Sequence, residues 1–308
     1  MKVLGIGNAI VDVICKINDG FLSENGLTKS TMKLVDENEF KKLLGNLTIE
    51  KTISGGSVAN SIVGLSQLGN DVGFIGKVND DDLGRKYLEG LSKEKVKFHN
   101  SIKLETVPTG TCLIFITPDS ERTMCTFLGT AGKISENDIN EKVVEQSEIT
   151  FLEGYLWDKG DPQKAFNKAI SKSKQSAMSL SDLFCVERHK EFFLDLVQNK
   201  LSITFANEQE ITCLLNTKKF NDVIEFGKKT KKLMVITRGK NGAVAIYKDK
   251  VEECYAKENL EIKDLTGAGD LFAAGFLHGY VNNFSLKASL EKGTDLSSKV
   301  IQQVGARL

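Results

Sequence analysis

The chain has 308 residues, of which 41% are hydrophobic and 27% charged, a composition typical of a globular protein with one large domain or a domain and an appendage. Its 41 Lys and Arg residues balance its 41 Asp and Glu residues, which argues against a nucleic-acid partner, because such proteins carry a basic surplus. Without a signal-type N-terminus, an 18-residue apolar run or a C-x-x-C pair, we expect a cytoplasmic protein with reduced cysteines and no membrane partner.

Polar side chains follow the first predicted strand. Residues 3–7 form a short apolar run closed by glycine, and Asn8 and Asp12 come after it. Ligands of open α/β sheets bind at the carboxyl ends of the strands, which makes both residues candidates for substrate binding. The same residue types also make turns, and the local pattern leaves both interpretations open.

A helix is predicted to begin after Gly55 and Gly56, because apolar residues then recur at helical spacing until Gly69. Asn60 falls in its first turn, at the same rim as the preceding candidates. The acidic triplet at residues 80–82 invites a metal site, but we interpret it as a helix cap that complements the helix dipole.

Two segments, residues 13–35 and 99–128, are predicted to form a small β-rich lid. The runs at 109–117 and 122–128 form a hairpin around a turn at 118–121. Arg122 on this hairpin either reaches a phosphate when the lid closes or is a solvated edge-strand charge. The remaining ranges, residues 1–12, 36–98 and 129–308, are predicted to form the core.

Strands and helices alternate from residue 149 onwards. Short apolar runs at 149–153, 177–181, 203–207 and 233–237 are separated by segments of helical length. This rhythm indicates parallel βαβ units. The predicted fold class is therefore α/β, a three-layer α/β/α arrangement with a doubly wound, mostly parallel sheet and a small β lid.

Two of these strands are followed by residues that suit a ligand site. Tyr155 and Trp157 follow the first, where aromatic rings either pack or stack on a flat base. Asn207 and Glu210 follow the third. An amide and a carboxylate at this spacing can order the water shell of Mg²⁺. They can also form a capping box, in which Glu210 bonds back to the N–H of Asn207.

Residues 264–277 read D-L-T-G-A-G-D-L-F-A-A-G-F-L. Gly267, Ala268 and Gly269 are predicted to lie at a helix N-terminus with unpaired amides, which is an anion site. Asp270 then falls in the first turn, beside any phosphate held there. A base next to a phosphate site suggests phosphoryl transfer. On glycine spacing alone, a loop with Asp270 as a cap fits about equally well.

This stretch resembles the D-T-x-G-A-G-D signature of the ribokinase-like (PfkB) carbohydrate and nucleoside kinases, although Leu265 stands between Asp264 and Thr266. Asn8 and Asp12 resemble the substrate segment of that family, and residues 55–60 resemble its second signature, G-G-x-x-x-N. The chain contains no Walker A sequence, no G-x-G-x-x-G after a strand and no G-x-S-x-G. P-loop NTPase, dehydrogenase and α/β-hydrolase assignments therefore lose their main support.

The resemblance implies an ATP-dependent kinase with a ribokinase-like fold, in which Asp270 is the base and the amides of residues 267–269 hold the transferred phosphoryl. The residues that it implies to bind the substrate are Asn8, Asp12, Gly55, Gly56 and Asn60, and the aromatic residues Tyr155 and Trp157 are added as substrate-binding candidates from their place at the sheet edge. Those implied to bind the nucleotide are Thr237, Gly239, Gly242, Thr266 and Asp295, and those implied to act on the metal are Asn207 and Glu210. Asp295 stands near the position where relatives usually carry an Asn beside adenine.

The acceptor is the least determined part of this expectation. Residues 57–59 read S-V-A, which resembles the bacterial adenosine kinases, so adenosine is the first choice. A sugar kinase acting on ribose or fructose shares every core motif, and a non-catalytic nucleotide-binding regulator is a third possibility. The expected cofactors are ATP and Mg²⁺, with a monovalent cation left open. The expected state is a monomer or a homodimer with a small-molecule substrate.

Overall fold

The computed structural model describes residues 1–29, 31–45, 47–100, 102–119, 121–157 and 160–308. Ser120, in the predicted hairpin turn, lies outside them. The strands are β1 Val3–Ile6, β2 Ile10–Lys16, β3 Met32–Leu34, β4 Ile49–Ser54, β5 Val72–Ile75, β6 Lys97–Phe98, β7 Gly110–Ile116, β8 Arg122–Phe127, β9 Ile149–Glu153, β10 Ser176–Ser179, β11 Ile203–Asn207, β12 Leu233–Thr237, β13 Ala243–Tyr247 and β14 Lys250–Cys254.

The described residues also form α-helices. They are α1 Asp19–Glu24, α2 Glu37–Leu44, α3 Ser57–Gln67, α4 Asp82–Lys93, α5 Glu141–Gln146, α6 Asp161–Lys172, α7 Leu183–Asp195, α8 Glu208–Leu215, α9 Phe220–Thr230, α10 Ala268–Val281 and α11 Leu286–Val300. Among the residues that the structure describes, no helix is both long and apolar enough to span a bilayer.

The larger sheet has nine strands in the order β14-β13-β12-β11-β10-β9-β1-β5-β6. It is parallel from β6 to β12 and antiparallel at β12–β13 and β13–β14. In the register of the sheet, Leu4 on β1 pairs with Gly73 on one side and with Thr150 on the other. The chain order reverses at β1, and ligands of such sheets bind where the order reverses.

Both faces of this sheet are covered, because alternate side chains of each buried strand point to opposite layers. Val3 and Phe151 join the apolar cluster that includes residues of α3 and α10, whereas Leu4 and Leu152 join the cluster that includes residues of α6 and α7. The predicted three-layer α/β/α class with a doubly wound, mostly parallel sheet is confirmed.

The smaller sheet has five strands in the order β3-β8-β7-β2-β4. Its membership differs from the predicted lid, because β4 (Ile49–Ser54) and residues 10–12 of β2 belong to it, although both were assigned to the core. β4 is mostly exposed, and its place depends on antiparallel pairing with β2, about 40 residues away, which no local pattern reports. The division of the chain into core and lid remains a prediction.

The acidic triplet forms the cap that the sequence indicated. Asp81 is the N-cap of α4, and its carboxylate accepts a hydrogen bond from the N–H of Gly84 at 2.8 Å. It also accepts from the Thr109 hydroxyl at 2.7 Å and thereby joins α4 to the start of β7. The triplet therefore has a structural role in helix capping.

Candidate active site

A cavity of about 560 Å³ lies between the carboxyl ends of the large-sheet strands and the inner face of the small sheet. Its walls come from β2, β3, β7 and β8 on one side and from the ends of β9 to β12 and the start of α10 on the other. Most of the predicted site residues line it: Asn8, Asp12, Gly56, Asn60, Tyr155, Trp157, Asn207, Glu210, Thr237, Thr266, Gly267, Ala268, Gly269 and Asp270. The tertiary structure thus collects positions that lie as far apart in the sequence as residues 8 and 270.

The glycine-rich stretch forms the N-terminus of α10. Gly267 is the N-cap and has φ +78°, a left-handed conformation that suits glycine. A Cβ atom at Gly267 would lie 2.6 Å from the Cα atom of Ala306, whereas a Cβ at Gly269 would meet no described atom within 4 Å. The first amides of a helix have no partner within it, so this end presents N–H donors and a positive dipole to the cavity.

Asp270 is held by two donors from α3. Its Oδ1 accepts a hydrogen bond from the Ser57 hydroxyl at 2.6 Å, and its Oδ2 accepts from Asn60 Nδ2 at 3.0 Å. Burial raises the pKa of Asp270 to about 6, although these two hydrogen bonds and the charge of Arg307 lower it. The result is an oriented carboxylate that ionises close to neutral pH, which suits a general base.

Asp12 lies inside β2 and not at the end of the first strand as predicted, because the chain leaves the large sheet after β1 and enters the small sheet at Ile10. Burial raises the pKa of Asp12 to about 7, and the charge of Arg307 opposes this shift. Gly55 does not line the cavity, but a Cβ there would lie 2.5 Å from Asp12 Oδ2. Gly55 therefore leaves room for the Asp12 carboxylate.

Glu153 is a site residue that the sequence reasoning missed. It ends β9, is 1% exposed and lines the cavity. Its Oε1 accepts from Asn8 Nδ2 at 2.9 Å, and its Oε2 accepts from the Val58 N–H at 3.0 Å. Burial raises the pKa of Glu153 to about 7. An acidic residue that closes an otherwise apolar strand was the signal available in the sequence.

Two arginines, Arg122 and Arg307, make contacts near the site that the sequence did not predict. Arg122 is 15% exposed, and its Nη1 pairs with Asp264 Oδ2 at 2.9 Å, so its interpretation as a solvated edge charge is wrong. This ion pair joins β8 of the small sheet to the segment just before α10. Arg307 donates from Nε to Asn60 Oδ1 at 2.9 Å and received no role from the sequence.

The two predicted aromatic residues have different surroundings. Trp157 is 4% exposed and packs edge-on against Phe166, with ring centroids 4.9 Å apart. Tyr155 is 36% exposed and faces the cavity. A further aromatic residue, Phe184, lines the cavity with Arg188 placed 4.5 Å over its ring. Tyr155 and Phe184 therefore offer ring faces to a ligand, whereas Trp157 lies mainly in the apolar layer below.

Asn207 and Glu210 form the capping box that was one of their two interpretations. Glu210 Oε2 accepts from the Asn207 N–H at 2.9 Å, and Asn207 Oδ1 accepts from the Glu210 N–H at 2.8 Å. Burial raises the pKa of Glu210 to about 7. Both residues also line the cavity. Among the described residues no cluster of three His, Cys, Asp or Glu side chains could hold a metal directly. The metal role of Asn207 and Glu210 remains a prediction.

Only two of the five residues predicted to bind the nucleotide line the cavity. Thr237 and Thr266 line the cavity, and Thr266 donates from its hydroxyl to Asp264 Oδ1 at 2.7 Å. Gly239 and Gly242 lie in the turn after β12, outside the cavity lining, and both have positive φ. Asp295 also lies outside it, paired with Lys257 and with Lys299. The ion pairs neutralise Asp295 and lower its pKa.

The fold is that of kinases that act on small molecules. The model of the pfkB family of carbohydrate kinases matches residues 33–308, and the chain belongs to this family. It is an ATP-dependent kinase.

Solved structures and curated relatives are similar to the chain over most of its length. The adenosine kinase of Sinorhizobium meliloti is 36% identical with a TM-score of 0.91, over 100% of this chain and 95% of that one. A probable sugar kinase of Rhizobium etli is 35% identical with a TM-score of 0.90, over 99% and 94%. The 5-dehydro-2-deoxygluconokinase of Lacticaseibacillus casei is 25% identical over 82% of this chain and 81% of its own length. The relatives therefore include both nucleoside and sugar kinases.

Proposed function

We propose that this kinase transfers the γ-phosphoryl group of ATP to the primary 5′-hydroxyl of a nucleoside, with adenosine as the first choice, giving AMP and ADP. The observation that carries the proposal is the placement of Asp270. Its carboxylate lies in the first turn of α10, is held by Ser57 and Asn60, and faces the same cavity as the amides of Gly267–Gly269. A base and an anion site are thereby adjacent.

In this mechanism Asp270 accepts the proton of the acceptor hydroxyl as the new O–P bond forms and the bond to the leaving ADP oxygen breaks. The helix N-terminus at residues 267–269 stabilises the negative charge on the transferred phosphoryl. Because the transition state of such transfers is largely dissociative, positioning and electrostatics supply most of the acceleration.

Three polar side chains are proposed to hold the ribose hydroxyls: Asn8, Asp12 and Asn60. They converge on the cavity from the segment between β1 and β2, from β2 and from α3. Gly56, with φ +97°, lets the backbone turn there. Tyr155 and Phe184 supply ring faces for the base beyond the ribose. Trp157 supports that wall from beneath.

On the nucleotide side, Thr237 and Thr266 are proposed to contact the phosphates, with the turn at Gly239 and Gly242 shaping the edge of the site. Asn207 and Glu210 are proposed to order the water shell of Mg²⁺. When bound, the metal supplies positive charge against the phosphates. We further propose a cytoplasmic enzyme that is a monomer or a homodimer.

A sugar kinase remains the second candidate. It is favoured by the similarity to the probable sugar kinase of Rhizobium etli and to the 5-dehydro-2-deoxygluconokinase of Lacticaseibacillus casei. Both candidates use the same base and anion site, because the chemistry at the acceptor hydroxyl is the same. They differ only in what lies beyond the sugar ring.

The test is a coupled ADP-release assay across adenosine, inosine, ribose and fructose, with chromatography to identify AMP. We expect adenosine to have the highest kcat/KM. Aromatic contact is worth on the order of 1 kcal/mol, so Tyr155→Ala should lower the preference for adenosine over ribose by roughly fivefold. Tyr247→Ala is the matched control, since Tyr247 is similarly exposed but lies outside the cavity lining.

Equal efficiency with ribose or fructose would remove the nucleoside assignment and leave a sugar kinase. A preference for adenosine that Tyr155→Ala does not change would keep the acceptor but remove the proposed aromatic contact. Absence of ADP release with all four acceptors would reject both assignments.

A further inference from the structure

Residues 305–308 pack against the elements that carry the active-site residues. The Gly305 N–H donates to Asp264 Oδ2 at 2.7 Å, just before the anion-binding stretch. Ala306 packs against Gly267, which has no room for a side chain there. Arg307 bonds to Asn60, and the Leu308 carbonyl accepts from Gln67 Nε2 at 3.2 Å. The segment 305–308 thus touches both helices that supply the catalytic groups.

Arg307 determines which way the Asn60 amide faces. A guanidinium group carries only donors, so Asn60 must present its oxygen to Arg307 Nε, at 2.9 Å. The Asn60 NH₂ group is then turned towards Asp270 Oδ2, at 3.0 Å. An ionised carboxylate only accepts hydrogen bonds, so this chain of two bonds favours the charged form of Asp270.

The charge of Arg307 acts in the same direction. The charge of Asp270 raises the pKa of Asp12 on β2, of Glu153 on β9 and of Tyr155. Arg307 is the cation that lowers the pKa of both Asp270 and Asp12, and Arg122 acts on Asp12 as well. Three acidic side chains that converge on a buried site disfavour one another's ionisation, and a nearby cation offsets that cost.

Arg307 is half-buried, and its Nη2 atom is fully buried. No carboxylate of the described residues forms an ion pair with its guanidinium within 4.0 Å. Arg307 Nη2 has no hydrogen-bond partner among the residues that the structure describes. Burial lowers the pKa of Arg307, although an arginine stays protonated at neutral pH. A buried, incompletely paired cation is costly to the fold, and such a cost indicates a role in the site.

We propose that Arg307 is a positioning residue of this kinase, which orients Asn60 and keeps Asp270 ionised so that Asp270 can accept the proton of the acceptor. The inference rests on the proposed function in the role of Asp270, but it does not depend on which acceptor is used. Arg307 itself touches neither the acceptor nor the phosphates in this proposal.

The experiment compares the pH dependence of kcat in the full-length wild type, Arg307→Met, Arg307→Gln and Arg307→Lys, with ATP and the acceptor that wild type uses best. In Arg307→Met and Arg307→Gln we expect the acidic limb to move up by about one pH unit. Since the pKa of Asp270 is about 6 in the wild type, this shift means a roughly fivefold lower kcat at pH 6 and little loss at pH 8. Arg307→Lys keeps the charge, so its limb should stay near that of wild type while kcat falls at every pH.

The control is Lys93→Met, which removes the same charge from an exposed side chain. Lys93 and Arg307 both line a second cavity, separate from the one that holds Asp270. The profile of Lys93→Met should match wild type. Thermal unfolding by circular dichroism monitors folding of each variant. An unmoved acidic limb in folded Arg307→Met or Arg307→Gln overturns the inference, as does a change confined to KM. Unfolding of all three Arg307 variants also overturns it, because Arg307 would then be purely structural.

The variant Asp270→Asn tests the proposed function independently of the role of Arg307. If Asp270→Asn retains turnover, Asp270 is not the base and the proposed mechanism is lost. If Asp270→Asn is inactive but the acidic limb is unmoved in the Arg307 variants, only the role of Arg307 is lost.

Discussion

At the scale of single residues, the site depends on carboxyl groups whose pKa values are raised by burial. Asp270 is held by two donors, and burial raises its pKa to about 6. Glu153 accepts two hydrogen bonds deep in the sheet, and its pKa is raised to about 7. The neighbours of each group, and not its type, determine its charge at neutral pH.

Asp270→Asn should lower kcat by at least about a hundredfold, because removal of a general base costs this much. The affinity for ATP should change little, since Asn keeps the size of the side chain and Asp270 is assigned to the acceptor. Steady-state assays give kcat, and calorimetry gives the ATP dissociation constant. Asp222→Asn on the exposed face of α9 is the control. Near wild-type turnover in Asp270→Asn would reduce Asp270 to a helix cap.

At the scale of elements, the start of α10 depends on a backbone conformation and on a close approach. Gly267 has φ +78°, and Ala306 occupies the space into which a side chain would project. Sequence patterns located the start of this helix, and they located the strands β9, β11 and β12 at the bounds that the structure has. They succeeded because strand runs and glycine-marked helix starts are local signals.

Gly267→Ala should destabilise the protein by roughly 2 kcal/mol or more, since it adds a steric overlap to the cost of a left-handed Ala. Gly26→Ala separates the two terms: Gly26 has φ +62°, but a Cβ there meets no described atom within 4 Å. It should cost only about 1 kcal/mol. Denaturant unfolding measures both variants. Equal losses would mean that the contact with Ala306 contributes nothing.

At the scale of the whole molecule, buried acids make folding depend on pH in an unusual direction. Asp12, Glu153 and Glu210 have pKa values raised to about 7, and Asp270 to about 6. Between about pH 4 and pH 7 the folded state therefore binds more of these protons than the unfolded chain does. The free energy of unfolding falls with rising pH wherever the folded state binds more protons than the unfolded state. These groups therefore make the protein less stable as the pH rises through this window.

Glu153→Gln tests this linkage. The wild type should lose stability between pH 5 and pH 8, and the variant should lose less, by roughly 2 kcal/mol, because a neutral amide has no proton to release. Urea unfolding at several pH values measures the difference. Glu258→Gln, at an exposed position, should follow the wild type. Parallel pH dependence in wild type and Glu153→Gln would show that Glu153 ionises in the folded protein as it does in water.

The sequence by itself determined the α/β class, the βα rhythm, the glycine-marked start of α10 and fourteen of the residues that line the cavity. These features are local, since each is set by residues within one turn or one strand. Only the tertiary structure decided that β4 joins the small sheet, that Glu153 pairs with Asn8 and that Arg307 reaches Asn60. The last two contacts join residues 145 and 247 positions apart. No periodicity or motif reports such pairs, because their partners are chosen by the packing of the whole chain.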